Sequence, residues 1–217
     1  MVENDERMKE ERVLIPGNGI RLEGLLSIHE ALPFRGGVIV CHPHPQYGGD
    51  MDNPVVVAAI ESAAREGFST LRFNFRGAGG SEGAYADGEG EKDDVRAALS
   101  YLSSRLSGED SPIHLVGYSF GAWVGVPVAV EDDRVKGIVA VAPPLEMYSF
   151  KFLIHCKKPK LIIAGNRDSF CPAVSLEDLY QQIEEPKSLR MIPGADHFFS
   201  FHLQSLLEPL REFLRDK

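Results

Sequence analysis

A serine sits between glycines in Gly117-Tyr118-Ser119-Phe120-Gly121, directly after an apolar run, and two further reactive side chains follow far downstream, Asp168 in "AGNRDSF" and His197 in "GADHFF". A serine hydroxyl near neutral pH is a poor nucleophile, and it attacks a carbonyl only when a base takes its proton and a third group orients that base. Ser119 as nucleophile, His197 as base and Asp168 as orienting acid would supply those three roles. The developing oxyanion also needs pre-placed N–H donors. The amide of Phe120, just after the serine, is one candidate. The other lies in "CHPHPQYGGDMDN", Cys41 to Asn53. Pro43 and Pro45 have no N–H, so His44 and Gln46 are the nearest donors, and His44 is preferred. Gly48 and Gly49 let the backbone there pass close to a substrate.

Each residue has a duller alternative. Ser119 could cap a helix, and Asp168 could be a solvated turn former. Asp196 is a rival acid, although adjacent side chains on an extended loop diverge, which favours an acid from another loop. His42 and His44 together resemble half of a zinc site, but zinc takes three or four protein ligands. The chain has no His-Glu-x-x-His and no Cys-x-x-Cys to supply the rest. No metal is therefore expected, and acyl transfer through a serine needs no cofactor. His29, His114 and His155, in or beside apolar runs, read as structural, and His202 as a surface residue or a satisfied partner.

These side chains can meet only if a fold gathers them. The apolar runs "GVIVC", "STLRFNF", "IHLVG", "GIVAVA", "KLIIAG" and "SLRMIP" alternate with helical stretches and are of the kind buried on both faces, which predicts a mostly parallel sheet with helices on either side. Before them, "RVLIP" and "RLEGLLSI" flank an Asn-Gly turn, so the sheet opens with an antiparallel pair and has eight strands. Asn53 with Pro54 predicts a helix start, and Gly67 lies past its end. Val95, Ala98, Leu99, Leu102 and Leu106 form a second helical stripe. Ser175 with Asp178 reads as a capping box for a third helix, and Pro209 is expected to kink or divide the last one. "RGAGGSEGAYADGEGE" reads as one long surface loop. In a parallel sheet the loops bearing Ser119, Asp168 and His197 all leave the same carboxyl edge, where doubly wound folds place their sites.

With these motifs in order, the chain resembles the α/β-hydrolase superfamily, and within it the small, lidless, dienelactone-hydrolase-like serine hydrolases. "HPHPQYGGDMDN", "RFNFRGAGGSEG", "GYSFG", "GNRD" and "GADHFF" carry the resemblance across nearly the whole chain. It implies an α/β-hydrolase fold, with Ser119 as nucleophile, Asp168 as acid, His197 as base and the His44 loop at the oxyanion position. Dienelactone hydrolases themselves use cysteine where this chain has Ser119, so ordinary ester hydrolysis is the activity implied. Thioester or amide cleavage by the same triad is the alternative. A non-catalytic binding protein on the same scaffold is the reading from another class.

Composition sets the remaining bounds. The 217 residues suit a charged N-terminal tail, 1–10, and one domain, 11–217. A formal charge of −9 argues against nucleic acid as a partner. Cys41, Cys156 and Cys171 read as free thiols of a reducing compartment, no run is long and apolar enough to span a membrane, and a cytoplasmic enzyme acting on a small-molecule ester is expected. A second copy of the chain, as a homodimer, is an admissible partner. Only 17 residues, 143–159, separate two successive strands, which leaves no room for a large cap domain and predicts an open, shallow pocket for short or soluble acyl groups. "RGAGGSEG" approximates a dinucleotide loop but has Glu82 in place of its last glycine, and "DGEGEKDD" lacks the spacing of a calcium loop and reads as solvated acids. Of the aromatic residues near the motifs, most are expected in the core, with a minority lining an acyl site.

Overall fold

The computed structural model describes residues 10–29, 35–108 and 111–216. Apart from Glu10, the charged tail lies outside them. Eight strands form one sheet: β1 (Glu11–Pro16), β2 (Arg21–Ser27), β3 (Gly37–Cys41), β4 (Ser69–Phe73), β5 (Ile113–Tyr118), β6 (Val135–Val141), β7 (Lys160–Gly165) and β8 (Lys187–Ile192). Their spatial order is β1-β2-β4-β3-β5-β6-β7-β8. β2 runs antiparallel to both β1 and β4, and every other pairing is parallel. The fold is that of an α/β hydrolase.

Alternation along the strands divides the core in two. On β3, Val38 and Val40 pack on one face, where α1 (Pro54–Arg65) and α5 (Leu207–Arg215) lie. Ile39 and Cys41 pack on the other, against α2 (Glu89–Arg105), α3 (Phe120–Glu131) and α4 (Ala173–Gln182). Side chains of period two need cover on both faces, and the two helical layers provide it. Among the described residues no helix is long and apolar enough to cross a membrane.

Helix α1 starts as its residues dictate, with Asn53 Oδ1 accepting from Val55 N at 3.0 Å, Pro54 at the first position and Gly67 left-handed beyond the end. Other boundaries differ from expectation. The glycine-rich loop stops at Gly88, because Glu91 turns back to accept from the amides of Ala86 and Gly88 at 2.9 and 2.8 Å and opens α2 well before the apolar stripe. Glu91 and Asp94 are buried rather than solvated, and Asp94 holds both the guanidinium and the main chain of Arg76. α4 begins at Ala173 behind Pro172, so Ser175 lies inside the helix and caps nothing. The last helical region divides at Leu206/Leu207 into a 3₁₀ turn and α5; Pro209 sits in the first turn of α5, where its missing N–H costs nothing. β8 is a sheet edge and only half-buried, unlike the central strands. His155 is exposed and pairs with Glu184 at 2.9 Å instead of joining the core.

Candidate active site

β5 runs straight into α3, and Ser119 occupies the turn between them with φ 54° and ψ −118°. A residue with a Cβ is strained there, which holds the hydroxyl clear of the helix it precedes. It makes no side-chain cap bond to α3. A Cβ on Gly121 would stand 2.3 Å from the carbonyl oxygen of Cys41, so glycine is what lets the start of α3 press against the end of β3. That contact sets the Ser119 turn beside the His44 loop.

Two further loops leave the same edge after β7 and β8 and are fastened to each other. Arg167 N donates to Ala195 O at 2.9 Å, and Gly194 N donates to Asn166 Oδ1 at 2.7 Å. Here too a glycine permits the approach, since a Cβ on Gly165 would lie 2.2 Å from Ala195 O. The joined loops bring Asp168 and His197 to Ser119. Ser119 Oγ is 2.9 Å from His197 Nε2, and His197 Nδ1 is 2.8 Å from Asp168 Oδ2. All three are buried. The second oxygen of Asp168 accepts from the amides of Phe170 and Cys171 at 2.8 and 3.0 Å, which fixes the carboxylate plane. Asp196 turns away, taking hydrogen bonds from Phe198 N, Ser200 N and Ser200 Oγ.

The two sequence-predicted donors also line this cleft. Among the described residues, neither the Phe120 nor the His44 amide donates to an acceptor. The competing amide, Gln46 N, is engaged by His44 Nδ1 at 3.2 Å.

His42 answers the question its spacing with His44 raises. Phe75 N donates to His42 Nε2 at 2.9 Å, so the ring proton must sit on Nδ1, which donates to Pro43 O at 2.6 Å. Both nitrogens therefore serve the main chain, one at Pro43 in the His44 loop and the other at Phe75 beyond the end of β4, so His42 ties the two segments together. The end of β4 and the residue after it secure that loop further: Met51 N donates to Asn74 Oδ1 at 2.8 Å, and Arg72 reaches Met51 O and Asp52. Sequence reading missed His42, Asn74 and Arg72 in this role, as it did Tyr118, whose hydroxyl donates to His197 O at 3.1 Å. The only advance signal was that polar residues stood in apolar runs.

Burial, outweighing the Pro43 hydrogen bond, lowers the His42 pKa from 6.5 to about 4, so the ring is neutral in the folded state. Its contribution to stability is full above pH 6.5 and is lost as pH falls toward 4, because only the unfolded chain then binds the proton. From pH 7 to pH 5 the loss from this group is about 2 kcal/mol. The expected observations are a lower denaturant midpoint at pH 5 and a His42 ring-proton resonance that does not titrate between pH 8 and pH 5. A resonance titrating near 6.5 would contradict the assignment.

The cleft measures about 390 Å³, and Tyr47, Met147, Tyr148, Phe170 and Phe198 contribute its apolar walls. Phe150 and Phe199 are core, and Phe120, although buried, also lines the cleft. A larger groove of about 510 Å³ at β7, β8 and α5 lacks any comparable reactive pair. Its Lys160 and Lys187 ammonium groups are already bound to backbone carbonyls.

Residues 38–210 match the family model of the alpha/beta hydrolase domain. The chain belongs to the alpha/beta hydrolase family. An alpha-beta serine hydrolase homologue from Coxiella burnetii is 36% identical, with a TM-score of 0.86 over 94% of this chain and 97% of that one. An α/β serine hydrolase without a lid from Xanthomonas campestris is 28% identical, with a TM-score of 0.85 over 96% and 94% of the two chains. The Pyrococcus furiosus esterase Pf2001, at 20% identity and a TM-score of 0.82 over 100% and 95%, shares the fold. In this α/β hydrolase the span between β6 and β7 holds one short 3₁₀ turn, Lys151–Leu153, and no helical cap.

Proposed function

We propose that the protein is a serine hydrolase that cleaves small, uncharged carboxylic esters through an acyl-enzyme. The observation that carries this reading is the unbroken hydrogen-bond chain from Ser119 Oγ through His197 to Asp168. His197 Nε2 takes the hydroxyl proton as Ser119 Oγ bonds to the ester carbonyl carbon. Asp168 keeps the ring proton on Nδ1, so that Nε2 is the free base. The amides of Phe120 and His44 hydrogen-bond the oxyanion, and one such donor typically contributes about 3 kcal/mol in the transition state. His197 then protonates the departing alcohol, water enters in its place, and the reverse proton relay frees the acid and Ser119.

The cleft favours an ester over the other substrates of the same triad. Its lining has no Lys or Arg to meet the phosphates of a large acyl-carrier thioester, and no charged side chain to fix a peptide terminus. Rates on p-nitrophenyl acetate, the matching thioester and p-nitroacetanilide test this, with a fluorophosphonate probe to label Ser119. The expected order of kcat/KM is ester, then thioester, then anilide, with stoichiometric labelling. A dominant thioester or anilide rate would move the protein to the alternative chemistry, and an unlabelled Ser119 would leave a binding scaffold.

A further inference from the structure

The rings of the cleft fall into two groups, and the proposed proton relay says which half of an ester each one meets. His197 must hand its proton to the departing alcohol, so the alcohol lies beside that imidazole and the acyl group extends away from it. Tyr118, Phe170 and Phe198 stand around His197, with ring centroids 5.9, 4.8 and 5.4 Å away. His44 belongs to the other group. Its ring lines the same cleft and lies 4.6 Å from both Phe120 and Tyr47 and 4.9 Å from Tyr85, and Trp123 and Tyr148 continue the cluster beyond Phe120.

The two nitrogens of His44 are committed differently. Gln46 N donates to Nδ1 at 3.2 Å, so in the neutral ring the proton sits on Nε2. Burial lowers the His44 pKa, which keeps the ring neutral at pH 7 and that tautomer in place. Nε2 can therefore only donate. Among the described residues nothing accepts from it, and it is not sealed in the interior, so it opens on the cleft that the ring lines. No Lys, Arg, Asp or Glu lines that cleft, and Ser119 and His197 are engaged with each other.

An alkyl acyl group covering Nε2 would displace its water and return no hydrogen bond, and a site built to donate discriminates against a ligand without an acceptor. A carboxylate in the acyl group would enter a lining with no cation to meet it, on a chain of net charge −9. A carbonyl satisfies the donor without bringing an O–H or N–H that needs an acceptor of its own. We propose that the acyl half of the substrate carries a second, uncharged carbonyl oxygen, an oxo-acyl group, and that this oxygen accepts a hydrogen bond from His44 Nε2. This rests on the esterase reading above. His44 then acts twice, its main-chain amide on the oxyanion and its ring on the acyl group. Water is the only co-reactant: the acyl C–O bond to the alcohol breaks, one to water oxygen forms, and an oxo acid and an alcohol leave.

The test uses the full chain and two pairs of methyl esters in which a carbonyl is exchanged for a methyl branch of similar shape. The pairs are 3-oxobutanoate with 3-methylbutanoate and 4-oxopentanoate with 4-methylpentanoate, and p-nitrophenyl acetate is the reference. Each rate is divided by that of hydroxide-catalysed hydrolysis, so the ratio within a pair reports recognition. The oxo ester of at least one pair is expected to exceed its partner in kcat/KM by about tenfold, the order of one hydrogen bond. Two variants keep the main-chain amide and divide the ring's two nitrogens between them. His44→Asn retains an oxygen for Gln46 N but has no group at the Nε2 position, and is expected to bring the ratio severalfold toward one. His44→Gln, whose NH₂ reaches that position, is expected to hold most of it. Turnover of p-nitrophenyl acetate with no oxo preference in either pair, or a ratio that His44→Asn leaves alone or that both variants lower equally, overturns the acyl assignment and spares the esterase reading. Failure to turn over any ester overturns both.

Discussion

Ser119→Ala is expected to yield a folded protein whose kcat on p-nitrophenyl acetate has fallen on the order of 10⁵- to 10⁶-fold, the scale seen when a serine hydrolase loses its nucleophile. The structural reason for expecting an intact fold is specific. Ser119 Oγ bonds to His197 Nε2 and gives no capping bond to α3, so the substitution removes one hydrogen bond of about 1 kcal/mol and leaves the backbone untouched. His197 remains held by Asp168 at its other nitrogen. A thermal melt should therefore shift by only about 2–4 °C. Wild-type turnover in the alanine variant would refute the nucleophile assignment, and a collapsed melt would show that the hydroxyl has a structural role not evident from its contacts.

Asp168→Asn is expected to lower kcat about 10⁴-fold with a near-native melt, and the direction of the amide can be worked out. The amides of Phe170 and Cys171 both donate to Asp168 Oδ1. An asparagine must offer them its carbonyl oxygen, which leaves its NH₂ facing His197 Nδ1. That nitrogen then has to accept, the ring proton moves to Nε2, and the imidazole donates to Ser119 instead of taking its proton. The base is lost although every heavy atom stays in place. Asp196→Asn, in the same loop as His197 but bonded only within that loop, should keep most of the rate. Asn at 168 retaining activity within about tenfold of wild type would sink the orienting role, since a tautomer error costs far more.

How much of this was legible in the residues follows a physical pattern. β3 and β7 coincide with "GVIVC" and "KLIIAG" because a strand buried on both faces has to be a short, unbroken apolar run, and nothing else in the chain competes for those residues. The order of Ser119, Asp168 and His197, each just after a strand, was enough to expect them at one edge. Charge misled the reading at Glu91 and Asp94. An acid looks solvated until its partners are known, and those partners, the amides of Ala86 and Gly88 and the guanidinium of Arg76, are supplied by a turn that only the folded chain creates. The same holds for His42 and Asn74. Their work is to hold main-chain atoms, which a sequence does not distinguish from one another, so their roles appear only with coordinates. Pocket shape was the weakest expectation. The absence of a helical cap between β6 and β7 was legible from the length of that span, but the ring cluster around Phe120 is assembled from four separate stretches of chain and has no local signature.

The reacting groups are held largely by the backbone, through the Phe170, Cys171, Ala195 and Cys41 contacts, whereas the rings at the entrance stand on short surface stretches, with Tyr47 80%, Met147 48% and Phe198 64% exposed. If the proposed serine chemistry operates here, rate and selectivity are separable: drift or deliberate redesign at those outward positions would re-aim the protein at new compounds while the Ser119, His197 and Asp168 arrangement stays as it is.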